Sequence, residues 1–198
     1  MTKQDTMPEV NATRFFHDVI SKSIRADAYV RIIEMFKETD VSKNMEFQHL
    51  FTWFYRVRRS KEWLEGYYKV FQKLRDKKGL DIETILTELD KMVDGGGKTL
   101  ELSFASKMLA TINTDMPIWD SLVKKNLGLP DAPSVNEPDR IRKGAELYGM
   151  LCETMKDLVT SPFVDLEIRK FDEMLPEYRN ISRMKKLDFL LWGSDADA

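Results

Sequence analysis

The residues best suited to do chemistry lie in one segment of the chain, residues 94–121. It opens with a run of turn-forming residues that ends in a lysine and a threonine: Gly95, Gly96, Gly97, Lys98 and Thr99. A glycine run before a helix leaves the first N–H groups of that helix open and lets the backbone approach a phosphate closely. Because Lys98 adds a positive charge at the same turn, the segment predicts a site for phosphate groups.

Two further side chains of this segment are candidates for a site. Asp120 precedes a predicted short helix, where its carboxylate is suited to cap the first N–H groups. The same carboxylate could also work in an active site, and both roles stay open. Lys107 flanks the apolar stripe of its helix without belonging to it, so we expect it to face solvent, as we expect of Lys98 in its turn.

The positive charges are concentrated in two tracts of a chain that is otherwise acidic. The net charge is −2, yet residues 56–78 hold nine basic and three acidic side chains, and residues 179–186 hold four basic side chains and no acidic one. Two interpretations stay open: a phosphate-facing surface that unites the tracts, or solvated helix faces. In the first interpretation Arg56, Arg58 and Arg59 contact a nucleic-acid backbone.

An aromatic cluster directly precedes these arginines. It consists of Phe51, Trp53, Phe54 and Tyr55. Aromatic rings among arginines can stack on nucleobases, but the helical spacing of this cluster favours packing in the core.

The elements that must position these residues are helices. Apolar residues recur at spacings of three and four almost throughout the chain, and no alternation typical of strands occurs. Capping residues such as Asp81 and the break at residues 113–117 divide the pattern into about eight helices. We therefore predict a single all-α domain over residues 1–198, which could divide into two helical lobes, with a core motif at residues 94–128.

Composition excludes several classes of protein. The 198 residues are 42% hydrophobic and 32% charged, as in a compact folded domain, and they hold no apolar run long enough to span a bilayer. No secretory signal is evident, so we expect a cytoplasmic location. With one cysteine, Cys152, and two histidines without partners, His17 and His49, we expect no metal and no cofactor.

The segment as a whole resembles one known family. A helix, a glycine-rich hairpin, a second helix and a proline-bearing turn that leads to an aspartate are similar to the helix-hairpin-helix DNA glycosylases. The likeness is greatest to the archaeal branch of the 8-oxoguanine glycosylases. Its matching pieces are the pair Lys98-Thr99, the stretch Phe104-Ala105-Ser106-Lys107-Met108-Leu109 and the turn Pro117-Ile118-Trp119-Asp120.

The resemblance implies a function in base excision repair. Such enzymes bind duplex DNA through the hairpin, flip an oxidised purine out of the helix and cleave its glycosidic bond. It implies that Lys98 is the amine that forms a Schiff base, with Lys107 as the second candidate, and that Asp120 assists the attack. A lysine-free mechanism, in which Asp120 acts with water, also stays open. Gly95, Gly96, Gly97 and Thr99 would bind the DNA backbone.

Two alternatives to the enzyme stay open. The first is a nucleic-acid-binding protein that has the same fold without catalysis. The second is a helical interaction protein with no nucleic-acid role. A salt-dependent affinity for DNA would distinguish the first alternative from the second.

Overall fold

The computed structural model describes residues 19–92, 100–134 and 136–193. Within these ranges the protein consists of α-helices and one short 3₁₀ turn, Pro176–Tyr178, without a β-strand. The helices are α1 (Val19–Glu38), α2 (Met45–Phe54), α3 (Lys61–Leu74), α4 (Ile82–Asp90), α5 (Leu102–Ile112), α6 (Ser121–Asn126), α7 (Arg140–Val159), α8 (Pro162–Met174) and α9 (Arg183–Gly193). The predicted all-α class is confirmed.

Side-chain caps explain where several helices begin. Asn44, Ser60 and Ser161 each accept a hydrogen bond from the backbone N–H three residues later. The predicted cap Asp81 does the same for α4, accepting from the Thr84 N–H at 2.8 Å. Each cap satisfies a backbone donor that has no partner inside its helix.

The first half of the core is aromatic and lies between α1, α2 and α3. The rings of Phe47, Phe51 and Phe71 are fully buried, and the Phe51 ring centroid lies 5.7 Å from that of Phe71. Phe36 of α1 packs on Phe71 at 5.3 Å. Such close, mostly edge-to-face rings add to the stabilisation that comes from removing apolar surface from water.

The second half of the core surrounds α5. Nine of the eleven residues of this helix are buried, because α4 and α3 cover it from one side and the turn before α6 from another. A Cβ atom on Gly144 of α7 would lie 2.3 Å from the Leu100 side chain, so a larger residue here would force that leucine to move.

The last helix joins the two halves of the core. α9 packs against α6, α7 and α8, and its Phe189 ring lies 6.0 Å from Tyr29 of α1. The Tyr178 hydroxyl donates to Asp27 of α1 at 2.6 Å. One continuous cluster of buried apolar side chains therefore runs through the described helices.

Candidate functional site

Lys107 lies in the middle of α5 and is buried. Only 6% of the residue is exposed, its Nζ donates to the Ser103 hydroxyl at 2.9 Å, and it lies 5.2 Å from the Phe104 ring centroid. The expectation that Lys107 faces solvent was therefore wrong. Because α5 is covered on nearly all sides, a residue beside its apolar stripe is buried as well.

Burial changes the protonation equilibrium of this amine. It lowers the pKa of Lys107 below the usual lysine value, since the charged form loses hydration, while the carboxylates of Asp120 and Asp188 oppose the shift. A lysine with a lowered pKa holds a larger share of neutral amine, which is the nucleophilic form.

Asp120 caps α6, as predicted, at the end of a firmly held turn. Its Oδ1 accepts from the Leu122 N–H at 2.9 Å. The turn is fixed to α5, because the Trp119 N–H donates to the Ser106 hydroxyl at 2.9 Å, and to α7, because the Tyr148 hydroxyl donates to the Pro117 carbonyl at 2.7 Å. These bonds fix the segment that carries Asp120, whose charge favours the protonated form of Lys107.

A second buried lysine and a buried carboxylate lie on α9. Lys185 Nζ donates to Asp188 Oδ2 at 2.6 Å, and both side chains are almost completely buried. The other oxygen, Asp188 Oδ1, has no hydrogen-bond partner among the described residues. Burial raises the pKa of Asp188 and lowers that of Lys185, while each charge opposes the shift of the other.

Five aromatic rings enclose the Lys185 ammonium. Their centroids lie 4.4 to 5.5 Å from Nζ and belong to Trp192, Phe189, Tyr29, Phe54 and Tyr55. The faces of such rings carry negative potential and attract a cation. They replace part of the hydration that Lys185 gives up.

We call four residues the buried charge cluster: Lys107, Lys185 and Asp188, which are buried, and Asp120, which is half-buried. Each lysine is influenced by both carboxylates, since Asp120 and Asp188 both favour the charged form of Lys107 and of Lys185. Two amines and the Asp188 carboxylate are thus removed from water, and the charge of the half-buried Asp120 acts on both amines. Interacting titratable groups in such surroundings are typical of active sites.

Sequence reasoning missed Lys185 and Asp188. Lys185 was counted in the basic tract of residues 179–186, which was interpreted as a solvated face or a phosphate-facing surface. Both interpretations are wrong for Lys185 and Lys186, which are buried. Lys186 donates to Asp172 at 2.6 Å and to the Arg179 carbonyl at 2.8 Å. The available signal was the apolar run that surrounds Asp188 in Leu187–Leu191.

The three predicted backbone-binding arginines are in different surroundings. Arg59 donates to both carboxylate oxygens of Glu101, at 2.9 and 3.0 Å, and lies over the Phe104 ring at 4.8 Å. Arg56 and Arg58 are exposed and line a cavity of about 430 Å³. The aromatic cluster before them packs in the core, except for Trp53, which is 55% exposed.

Some predicted site residues lie outside the described residues: Gly95, Gly96, Gly97, Lys98, Thr99 and also His17. In the ranges that the structure does describe, no group of three or more histidine, cysteine, aspartate or glutamate side chains could hold a metal ion. No helix of those same ranges is both long and apolar enough to cross a membrane.

Comparison with known proteins assigns no family to the chain. No family model, no curated protein and no solved structure matches it. The function therefore has to be argued from the buried charge cluster and its surroundings.

Proposed function

We propose that this protein is a DNA glycosylase that excises an oxidised purine from duplex DNA with a lysine amine of the buried charge cluster as nucleophile. The observation that supports the proposal is the buried amine of Lys107, whose pKa is lowered by burial while the charge of Asp120 opposes the shift. Lowering the pKa raises the share of neutral amine, which is the form that attacks the anomeric carbon of a sugar.

The proposed reaction uses the two members of the pair differently. The neutral amine of Lys107 forms a bond to C1′ of the sugar as the glycosidic bond to the base breaks, and the base leaves with a proton. That proton comes from the amine. The bond between C1′ and the ring oxygen O4′ then breaks, the electron pair of the nitrogen forms the C=N bond of a Schiff base, and the remaining proton of the nitrogen passes to O4′, which becomes a hydroxyl group. Asp120 stabilises the positive charge that develops on the sugar. Lys98 is the second candidate for this amine.

Charges around the cluster also fit a polyanionic substrate. Arg56 and Arg58 are exposed close to Tyr55, whose ring lies 5.5 Å from Lys185 Nζ. Guanidinium groups bind phosphates of the backbone, while a flipped base has to enter the protein. The proposed reaction requires no cofactor. We also propose a cytoplasmic location for the protein.

A second candidate function follows from the low exposure of Lys107. An amine that is 6% exposed and hydrogen-bonded to Ser103 can hold α5 in place without any catalysis. The protein would then bind nucleic acid through its arginines alone. This candidate predicts salt-dependent DNA binding without base release.

Borohydride trapping separates the two candidates. The purified protein is incubated with duplexes that carry 8-oxoguanine, uracil or an abasic site, and sodium borohydride reduces any Schiff base to a stable adduct. The variants are Lys107→Gln, Lys98→Gln and Asp120→Asn. Lys186→Gln serves as the matched control, since it removes a buried lysine that bonds to Asp172 outside the cluster.

The outcomes assign the function. An adduct that is lost in Lys107→Gln and kept in Lys186→Gln supports the proposal. An adduct that is lost only in Lys98→Gln moves the nucleophile to that residue. If no duplex gives an adduct and no base is released, the protein is not a glycosylase for these lesions, and the binding candidate takes its place.

A further inference from the structure

A second site lies on the outside of the protein, where α2 ends against α1. Its cavity of about 430 Å³ is lined by Arg25 of α1, by the last turn of α2 and by residues 56–58. We call it the arginine pocket, formed by Arg25, Thr52, Trp53, Phe54, Arg56, Val57 and Arg58. The ring of Phe54 separates it from the interior, because the same ring lies 5.3 Å from Lys185 Nζ.

The three arginines of the pocket have no carboxylate partner. Within the described ranges Arg25, Arg56 and Arg58 form no ion pair. Most other arginines do, each within 3.8 Å of a carboxylate oxygen: Arg31, Arg59, Arg75, Arg140, Arg142, Arg169 and Arg183. Three uncompensated positive charges at one cavity indicate a ligand that carries negative charge.

The guanidinium groups of Arg25 and Arg56 lie close enough to repel each other. Partial burial lowers the pKa of Arg25, and the positive charge of Arg56 lowers it further. Like charges that face one cavity raise the free energy of the unliganded protein. An anion that binds there removes this repulsion, so the arrangement favours anions of higher charge.

The backbone at Arg56 is strained. Its φ angle is +51°, in the left-handed region that glycine adopts more readily than other residues. Two hydrogen bonds hold this turn, from the Arg56 N–H to the Trp53 carbonyl at 3.3 Å and from the Val57 N–H to the Thr52 carbonyl at 2.9 Å. An arginine in place of glycine costs stability here, which is consistent with a role for its side chain.

A flat aromatic side chain stands beside these charges. Trp53 lines the pocket and is 55% exposed, while its neighbour Phe54 is buried. An exposed indole offers a face on which a nucleobase can stack, and arginines beside it can hold the phosphate of the same nucleotide. The combination is more specific than a basic patch alone.

We infer that the arginine pocket binds the phosphate monoester of a nucleotide, with the nucleobase on Trp53. A monoester carries between one and a half and two negative charges at about pH 7, whereas a backbone diester carries one. Three unpaired guanidiniums therefore favour a monoester, either on the end of a nucleic-acid strand or on a free nucleotide. This inference does not depend on catalysis by the buried charge cluster.

The test compares ligands that differ only in this phosphate. Fluorescence anisotropy measures the binding of a labelled single-stranded oligothymidylate with a 5′-phosphate or a 5′-hydroxyl, and adenosine monophosphate and adenosine compete for it. We expect the 5′-phosphate to tighten binding by about tenfold or more, in keeping with charge-assisted contacts from several arginines. Competition by the free nucleotide at similar concentration identifies a mononucleotide site, whereas its failure to compete identifies a strand end.

Variants show which residues of the arginine pocket cause the preference for a phosphorylated end. Arg25→Gln with Arg58→Gln should remove the preference for the phosphorylated end, and Trp53→Ala should weaken binding of both oligonucleotides while Trp53→Phe keeps it. Arg56→Gly should also reduce the preference while it raises the thermal midpoint, because it relieves the positive φ. Arg169→Gln, an exposed arginine on α8, is the matched control and should change nothing.

Two results would overturn the inference. One is equal affinity for phosphorylated and hydroxyl ends in the unmodified protein. The other is a preference that survives the removal of Arg25 and Arg58 charges. Since neither result involves base release, failure here leaves the glycosylase proposal to be judged by the trapping experiment.

Discussion

Two buried regions of this protein are built from opposite kinds of side chain, one aromatic and one charged. Between α1, α2 and α3 the interior is made of rings, and the hydroxyl groups of Tyr67 and Tyr68 donate to the backbone carbonyls of Phe104 and Gln48, both at 3.0 Å. Between α5, the turn before α6 and α9, the interior instead holds charged groups, with Lys107, Lys185 and Asp188 all nearly inaccessible.

The difference shows where folding alone explains the sequence and where it does not. Burying rings removes apolar surface from water and needs no further reason. Burying an ion pair takes both charges out of water, and well-packed apolar residues of the same size often stabilise a protein equally well or better. The charges of the second region are therefore better explained by chemistry than by stability.

The largest effect is expected from Asp188→Ala. This change leaves the Lys185 ammonium buried without its carboxylate, so the free energy of unfolding should fall by about 3–5 kcal/mol in urea denaturation. The double variant Lys185→Met with Asp188→Leu removes both charges and should recover most of this loss. A double variant as unstable as the single one would contradict the view that the charges are not needed for folding.

A smaller loss is expected in the aromatic region. Phe51→Leu removes ring contacts with Phe47, Tyr68 and Phe71 and should lower the free energy of unfolding by about 1–2 kcal/mol. Below its thermal midpoint the variant should still form the borohydride adduct as the unmodified protein does. Loss of the adduct in a folded Phe51→Leu protein would contradict the view that the aromatic region serves stability alone.

Lys107→Met is expected to have opposite effects on stability and on adduct formation. Methionine has a similar length and no charge, so we expect the free energy of unfolding to rise by about 1 kcal/mol while adduct formation is abolished. Thermal and urea denaturation measure the first effect, and trapping measures the second. A clear loss of stability would assign Lys107 a structural role in α5.

A surface carboxylate provides the smallest effect and a contrast with the buried pair. Hydrogen bonds from Lys73 and Lys91 lower the pKa of Glu88 to about 2, below its ordinary value. Its contribution is present above the ordinary glutamate pKa and is lost as the pH falls from about 5 towards 2.

Because both lysines are largely exposed, solvent screening limits this contribution to under about 1 kcal/mol. Glu88→Gln should differ from the unmodified protein by this amount at neutral pH and less at pH 3, as measured by urea denaturation. A difference that grows on acidification would have the wrong sign.

The sequence was sufficient for the helices and for part of the candidate site. Local signals carried these predictions: helical spacing and the caps Asp81 and Asp120. Such signals depend on residues within a few positions of each other.

What the sequence could not supply is which helices cover one another. Lys107 was expected to face solvent. It is buried because segments that are distant in the sequence cover α5 on nearly all sides. The charges of Lys185 and Asp188 act on Lys107 through the packing of α9, which lies about 80 residues further along the chain. Arg25 likewise joins Arg56 and Arg58 through the contact between α1 and α2.

Mapping the trapped lysine is the strongest test of the proposal that Lys107 is the nucleophile. The adduct formed with a duplex that carries 8-oxoguanine is reduced with borohydride, digested with a protease and a nuclease, and sequenced by tandem mass spectrometry. Our account predicts the reduced sugar remnant on the peptide that contains Lys107. A remnant on Lys98 or Lys185, or no modified peptide at all, would contradict the claim that the buried amine beside Asp120 is the nucleophile.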